Sequence, residues 1–406
     1  MPFNANGSEV YGSPPRGYSM TSLESARSLI LTLAMPVDTE RISLLDAGGR
    51  VVSEDVPAPV PLPPTRIALV GGFVCRSDRI APRAFQPDAP PADDGRQPLG
   101  FTVAPGDIVP DDIHAVVSSP GLAGSGHGEP GAGMAEPGVF SAPGDMIVPR
   151  GKPLSTIDVR LLAELGMRRV PVHRKPRIGI VAIGDQLAMV DGVLSPGQQY
   201  DGASPMLAAH ITECGGIPIR LGPVPRRPED IQFAMSKAFE EDDALILAAS
   251  TGANEGDDLA QILTKMGVEQ RFLGLAVSPG CASFFGTARG KPVLLVPSAG
   301  AELLSVSELL VTPLVHRLAG LSRIEPRKVG ALLEETLRCP VPGVCTVWAV
   351  QLKTEGRPVL ARPVKGWPGG VVYNAASVHG LCISPDGRDI RAGYSVEVIP
   401  VRTTER

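Results

Sequence analysis

Hydrophobic and polar positions divide the chain into regimes with different periods. In "TSLESARSLILTLA", Leu23, Ala26, Ile30 and Leu33 recur at helical spacing, and Thr21 stands three residues before Glu24 as in a capping box. A first helix is therefore predicted from about residue 22. From Arg41 to Asp78 the apolar pieces are short and broken by prolines, "DVPAPVPLPP" among them. Proline has no amide to donate, so this stretch is predicted as extended connector and short strand. "FTVAPGDIVPDDIHAVVSS" and "SAPGDMIVPRGKPL" are predicted as strands of a small β domain, flanking a Gly/Pro-rich insertion. "STIDVRLLAELGMRRVPVHRKP" predicts a short helix stopped by Gly166, then a strand, with Pro176 as a boundary.

Beyond Pro176, strand and helix patterns alternate. "RIGIVAI", "IPIRL", "ALILAA" and "KPVLLVP" are predicted strands. Between them lie three predicted helices: "SPMLAAHITECGG" with Ser204 as its cap, the Pro-started "RPEDIQFAMSKAFEED", and "DDLAQILTKMG". "ELLSVSELLVTPLVHRLAG" closes the unit as a long helix, bent at Pro313. Such alternation predicts an open, mostly parallel sheet with helices on both faces and ligands at the carboxyl ends of its strands. From residue 324 onward "GVCTVWAVQL", "RPVLARPV", "GLCISP" and "YSVEVIPV" predict a small β domain. The expected fold class is multidomain α/β plus β. Its expected parts are a disordered leader over 1–20, an elongated linker domain over 21–65 and 146–176, and a small β domain over 66–145 with its insertion at 118–140. An α/β domain over 177–323 and a β domain over 324–406 complete the chain.

Composition narrows the functions. The formal charge is -5, from 38 basic and 43 acidic residues, and no basic block stands out, which disfavours nucleic acid. The longest apolar runs fall well short of the roughly 20 residues a membrane helix needs, so no membrane association is expected. The polar N-terminus lacks the pattern of a secretory signal. Six scattered cysteines with no CxxC pair point to a reducing cytoplasm. Ten of the nineteen residues from Pro120 to Gly138 are Gly or Pro, which predicts a mobile insertion.

Three strand-end loops carry the candidate chemistry: "GDQL" (Gly184 to Leu187), "STGANEGDD" (Ser250 to Asp258) and "PSAGA" (Pro297 to Ala301). Small residues admit backbone amides to an anion, and nearby acids suit Mg2+ held together with phosphate oxygens. Each loop taken alone is equally an ordinary strand-to-helix turn, where Gly, Ser and Asp serve as caps. "GTARGKP" misses phosphate-loop spacing and is predicted as a hairpin turn.

The order of these motifs resembles the molybdopterin molybdenumtransferase family, to which the E domain of gephyrin is also similar. "LLDAGGRVVSEDVPAPVPLPP", "GDMIVPRGKPLSTIDVRLLAELGMRRVPVHRKPRIGI", the "GDQL" turn, "GQQYDGASPML", "SPG", "KPVLLVP" and "GLCISPDGRDIRAGYSVEVIPV" carry the likeness across nearly the whole chain. The resemblance implies molybdenum cofactor biosynthesis: insertion of molybdate into adenylylated molybdopterin, Mg2+ dependence, and a homodimer with its active site at the subunit interface. A molybdenum enzyme or another protein of the cofactor pathway is a further implied partner. Carried over residue by residue, it implies Asp185, Asp257 and Asp258 as catalytic positions, with Asp185 and Asp257 toward the metal. Gly184, Gln186, Ser250, Thr251, Gly252, Pro297 and Ser298 are the implied pterin-binding positions.

The departures cluster at polar positions. Gly71 and Ala68 stand where the family has aspartate and serine, and Pro105 stands for a threonine ahead of Gly106 and Asp107. "TGDEL" is here Ile183-Gly184-Asp185-Gln186-Leu187, and Ser278 replaces a lysine. Gln186 cannot bring the charge of a carboxylate to a metal, so molybdate insertion is expected to be weak or lost. The alternative expectation is a non-catalytic scaffold on the same fold.

Overall fold

The structure is a computed structural model that describes residues 20–76, 102–111, 113–117, 131, 133–250, 255–354, 358–367 and 377–401. Apart from Met20, the expected leader lies outside the described residues, as do residues 118–130 and 132 of the expected insertion.

A six-stranded sheet organises the α/β unit in the order Ile217–Val224, Arg177–Ile183, Ala244–Ala249, Lys291–Pro297, Phe284–Ala288, Glu269–Leu273. The first four strands are parallel, and the last two each run antiparallel to their neighbour. The central strands are apolar throughout because both faces are covered. Ile246 and Ala248 enter one core while Leu245 and Leu247 enter the other, as do Leu294 and Val296 against Val293 and Leu295. The antiparallel edge comes from the hairpin expected at "GTARGKP". Its turn places Arg289 (φ 52) and Gly290 (φ 73) both in the left-handed region, as a two-residue type I′ turn requires.

Two helix caps differ from expectation. The first helix, Leu23–Leu33, is capped by Ser22, whose hydroxyl accepts from Ser25 N at 3.1 Å. Thr21 is not the cap, because its backbone pairs with the turn at Gly274 and Ala276. The helix Ala203–Glu213 begins one residue before Ser204, and the carboxylate of Asp201 caps it by accepting from Ala203 N and Ser204 N, each at 3.0 Å. The Ser204 hydroxyl is buried without a partner.

The closing helix runs as Gly300–Val306, a π turn at Ser307–Val311, and Thr312–Leu318. Pro313 has no amide for the carbonyl four residues earlier, that of Leu309. Arg27 Nε donates to that oxygen instead, at 3.0 Å. The first helix therefore packs on the α/β core, with Ala26 and Ile30 buried beside the closing helix, and not within the linker domain. The linker core is formed by other residues, Leu44, Val52, Val56, Val148, Leu162 and Val172 among them. Its strand Thr39–Ser43 pairs antiparallel with Arg169–His173.

In the small β domain Gly72–Arg76 lies between Thr102–Val103 and Ile113–Val117, and Ala68, Val103, Val109, Ile113, Val116 and Met134 form its core. At the C-terminus Cys345–Lys353 pairs with both Leu360–Pro363 and Gly380–Ser384. That double pairing closes Val329–Leu333, Cys345–Lys353, Leu360–Pro363, Gly380–Ser384 and Ser395–Pro400 into a small barrel. Closure removes the exposed edges of the sheet. Among the described residues, no helix is long and apolar enough to cross a membrane.

Candidate functional site

The parallel strands bring their carboxyl ends together, and hydrogen bonds between adjacent strands fix the loops that follow. Gly184 N donates to Val224 O at 2.9 Å, and Ser298 N donates to Ala249 O at 2.8 Å. Gln199 N donates to Gln186 O, and Asp201 N to Ala188 O, both at 2.9 Å. The "GDQL" turn thus lies beside the segment that leads into the helix Ala203–Glu213.

Asp185 and Gln186 are exposed, and Gly184 is half-buried. One carboxylate oxygen of Asp185, Oδ1, accepts from Arg226 N at 3.0 Å. Arg226 stands two residues beyond the edge strand, and its Nη1 donates to Ser250 O at 3.4 Å. This half-buried arginine therefore spans from the first candidate loop to the second. Pro297 is buried, Ser298 half-buried, and Ser250 exposed. Asp258 is exposed on the helix Glu255–Lys265, where Asp257 is placed by its backbone alone. Thr251 and Gly252 lie outside the described residues.

Three groups at this end of the sheet were not anticipated: Arg226, Asp201 and Glu302. Arg226 had a legible signal, a basic residue between two prolines just after a strand, in "PVPRRP". Asp201 is buried but occupied by the two amides it caps. Glu302 lies in the first turn of the closing helix, and burial raises its carboxyl above the usual range. Burial likewise pushes the thiols of Cys214, Cys281, Cys345 and Cys382 up to about 11. They are protonated at neutral pH and are not thiolate nucleophiles.

The substituted positions in the small β domain are close neighbours. A Cβ on Gly71 would lie 3.6 Å from Pro105 Cδ.

Residues 21–166 match the family model described as "MoeA N-terminal region (domain I and II)", and residues 179–317 match the one described as "Probable molybdopterin binding domain". The chain belongs to the molybdopterin molybdenumtransferase family. Among its relatives, the molybdopterin molybdenumtransferase of Haemophilus influenzae is 25% identical over 318 residues, 74% of this chain and 78% of that one. The family member of Nostoc sp. is 24% identical over 411 residues, 94% of each chain. A crystal structure of the molybdopterin biosynthesis moea protein from Pyrococcus horikosii shares the fold, with a TM-score of 0.75 at 23% identity, over 95% of this chain and 100% of that one. Membership places the chain in molybdenum cofactor biosynthesis.

Proposed function

We propose that the chain binds a molybdopterin-type pterin at the strand-end loops of the α/β domain and that molybdate insertion is weak or lost. The observation that carries this reading is the pairing of Gly71 with Pro105. These residues stand where the family resemblance puts an aspartate and a threonine, so two neighbouring polar groups have been lost together while the surrounding core is kept. Gln186 removes a further carboxylate at the other candidate loop. Loss of one transition-state group typically costs about 10² to 10³ in rate, and losses within one site compound without being additive.

Among the side chains that are described, few carboxylates at these loops are open to a magnesium ion. Asp185 already receives the Arg226 amide, Asp201 is committed to its helix cap, and Asp258 is exposed. Among the described residues, no group of three or more His, Cys, Asp or Glu side chains is placed to hold a metal by protein ligands alone, so a magnesium ion here would depend on one or two carboxylates together with phosphate and water oxygens.

Calorimetry with molybdopterin and its adenylylated form, followed by an assay of AMP release with Mg2+ and molybdate, tests the proposal. Binding without release is the expected result. Robust AMP release that is abolished by Asp185→Ala would overturn it. The scaffold reading draws support from an exposed apolar run, in which Met189, Val190 and Val193 are 53%, 60% and 93% exposed. Failure of both pterins to bind would select that reading.

A further inference from the structure

We propose that the C-terminal barrel carries a small-molecule site of its own, one that takes a nucleoside monophosphate between Arg391 and Tyr394. The proposal is independent of the reading of the strand-end loops.

The site grows out of "SPDGRDIRAGY", the segment that joins the barrel strands Gly380–Ser384 and Ser395–Pro400. Bonds along its length pin the backbone. Ser384 Oγ accepts from Arg388 N at 3.1 Å and donates to Arg388 O at 2.8 Å. Gly387 (φ 60) sits so close to the preceding loop that a Cβ there would lie 2.5 Å from both Val341 O and Val344 O, so the turn needs glycine. Ile390 exchanges both backbone bonds with Leu337, at 3.0 and 2.8 Å. Tyr394 N then donates to Arg391 O at 3.3 Å across a turn with Gly393 at φ 83, which brings those two residues together. Beside these turns lies a cavity of about 300 Å³, with Arg388, Asp389, Arg391 and Tyr394 in its wall. That volume is at the lower end of the range for small-ligand pockets.

The four polar groups of the wall suit different parts of one ligand. Arg391 is exposed, and among the described residues no carboxylate pairs with it. Arg388 meets Asp386 only at 4.0 Å, with both side chains largely in solvent, and such a pair is worth little. Both guanidiniums are therefore open to phosphate oxygens, which their planar forks match. Asp389 Oδ1 accepts from Cys339 N at 2.8 Å. Its second oxygen is left for a hydroxyl, as a carboxylate holds the ribose of a nucleotide. The Tyr394 ring is 61% exposed and offers a face on which a base can stack. A free phosphate would use the arginines and leave the acid and the ring idle. Phosphate, sugar hydroxyls and a planar base in a ligand of this size describe a nucleoside monophosphate.

Calorimetric titration of the full chain with AMP, adenosine and ribose 5-phosphate tests the proposal. The wild-type chain should bind AMP saturably and each fragment at least about tenfold more weakly, since each lacks one anchor. Loss of a charged hydrogen-bond partner should make Arg391→Ala bind AMP about tenfold or more weakly, and loss of the stacking face should weaken Tyr394→Ala about fivefold or more. Arg391→Lys, which keeps the charge and loses the fork, should fall between wild type and Arg391→Ala. Arg160→Ala, which removes an exposed arginine of the linker helix Thr156–Glu164, should bind as the wild type. Absence of AMP binding, or binding that survives Arg391→Ala and Tyr394→Ala unchanged, overturns the proposal. Equal affinity for AMP and ribose 5-phosphate would remove the base from the site and overturn it as well.

Discussion

Gly71 and Gln186 are single-residue departures whose surroundings have room for the side chains they lack. A Cβ at Gly71 meets Pro105 Cδ and Val103 O only at ordinary contact distance, 3.6 Å each, and its φ lies outside the left-handed region. Gln186 is exposed, and it is its backbone carbonyl that bonds Gln199 N. Gly71→Asp and Gln186→Glu should therefore fold as the parent does, each within about 0.5 kcal/mol, as urea titration will show. Gln186→Glu adds one oxygen ligand and leaves Gly71 unrepaired. The expected outcome is weak Mg2+ binding by calorimetry without AMP release, and turnover by this single variant would contradict the account of lost catalysis.

At the scale of elements, the closing helix joins two devices. Its π turn leaves Leu309 O to Arg27, so Arg27→Met should destabilise the chain by about 1–2 kcal/mol, as expected when a buried carbonyl loses a charged donor. In a Pro313→Ala background residue 313 regains an amide for that carbonyl, and the Arg27→Met penalty should shrink. Equal penalties in the two backgrounds would break the link in this double-mutant cycle. The second device is Glu308, packed against the helix Ala203–Glu213. Its Oε1 lies 3.8 Å from His210 Nδ1, while His210 Nε2 bonds Thr312 Oγ1 at 2.8 Å. Burial, with the charge of Glu213 adding to it, pushes the Glu308 carboxyl from 4.5 up to about 7. Burial also holds His210 and His316 below the usual imidazole range, which disfavours a compensating charge on either. The folded chain thus binds this proton more tightly than the unfolded chain, and stability falls as pH rises from about 4.5 through 7. Glu308→Gln should be more stable than the parent by on the order of 1–3 kcal/mol at pH 8 and equal to it at pH 4. Parallel melting curves across that range would refute the assignment.

The whole molecule is tied together across its parts. The strand Val277–Ser278 leaves the α/β unit to pair in parallel with Cys345–Lys353 of the barrel. His173 of the linker domain holds Val37 O at 2.8 Å, and its ring packs so closely on Gly320 that a Cβ there would lie 2.2 Å from Cδ2. The homodimer that the family resemblance implies predicts that light scattering at micromolar concentration gives twice the mass of one chain. A monomer would count against that assembly and leave the strand-end loops of one chain as the complete site.

The sequence by itself determined what depends on local pattern. Continuous apolar runs between Pro- and Ser-started helices specify strands buried on both faces, so the mostly parallel sheet was legible from "RIGIVAI", "ALILAA" and "KPVLLVP". Motif order likewise carried the family. Tertiary structure alone decided which polar group meets which. The bond from Arg27 to Leu309 O at the π turn and the reach of Arg226 from Asp185 to Ser250 depend on groups contributed by segments far apart in the chain. Hydrophobic periodicity records only which face of an element is buried. A hydrogen bond is directional and needs its partner within about 3 Å, and that partner is fixed only once the elements have packed.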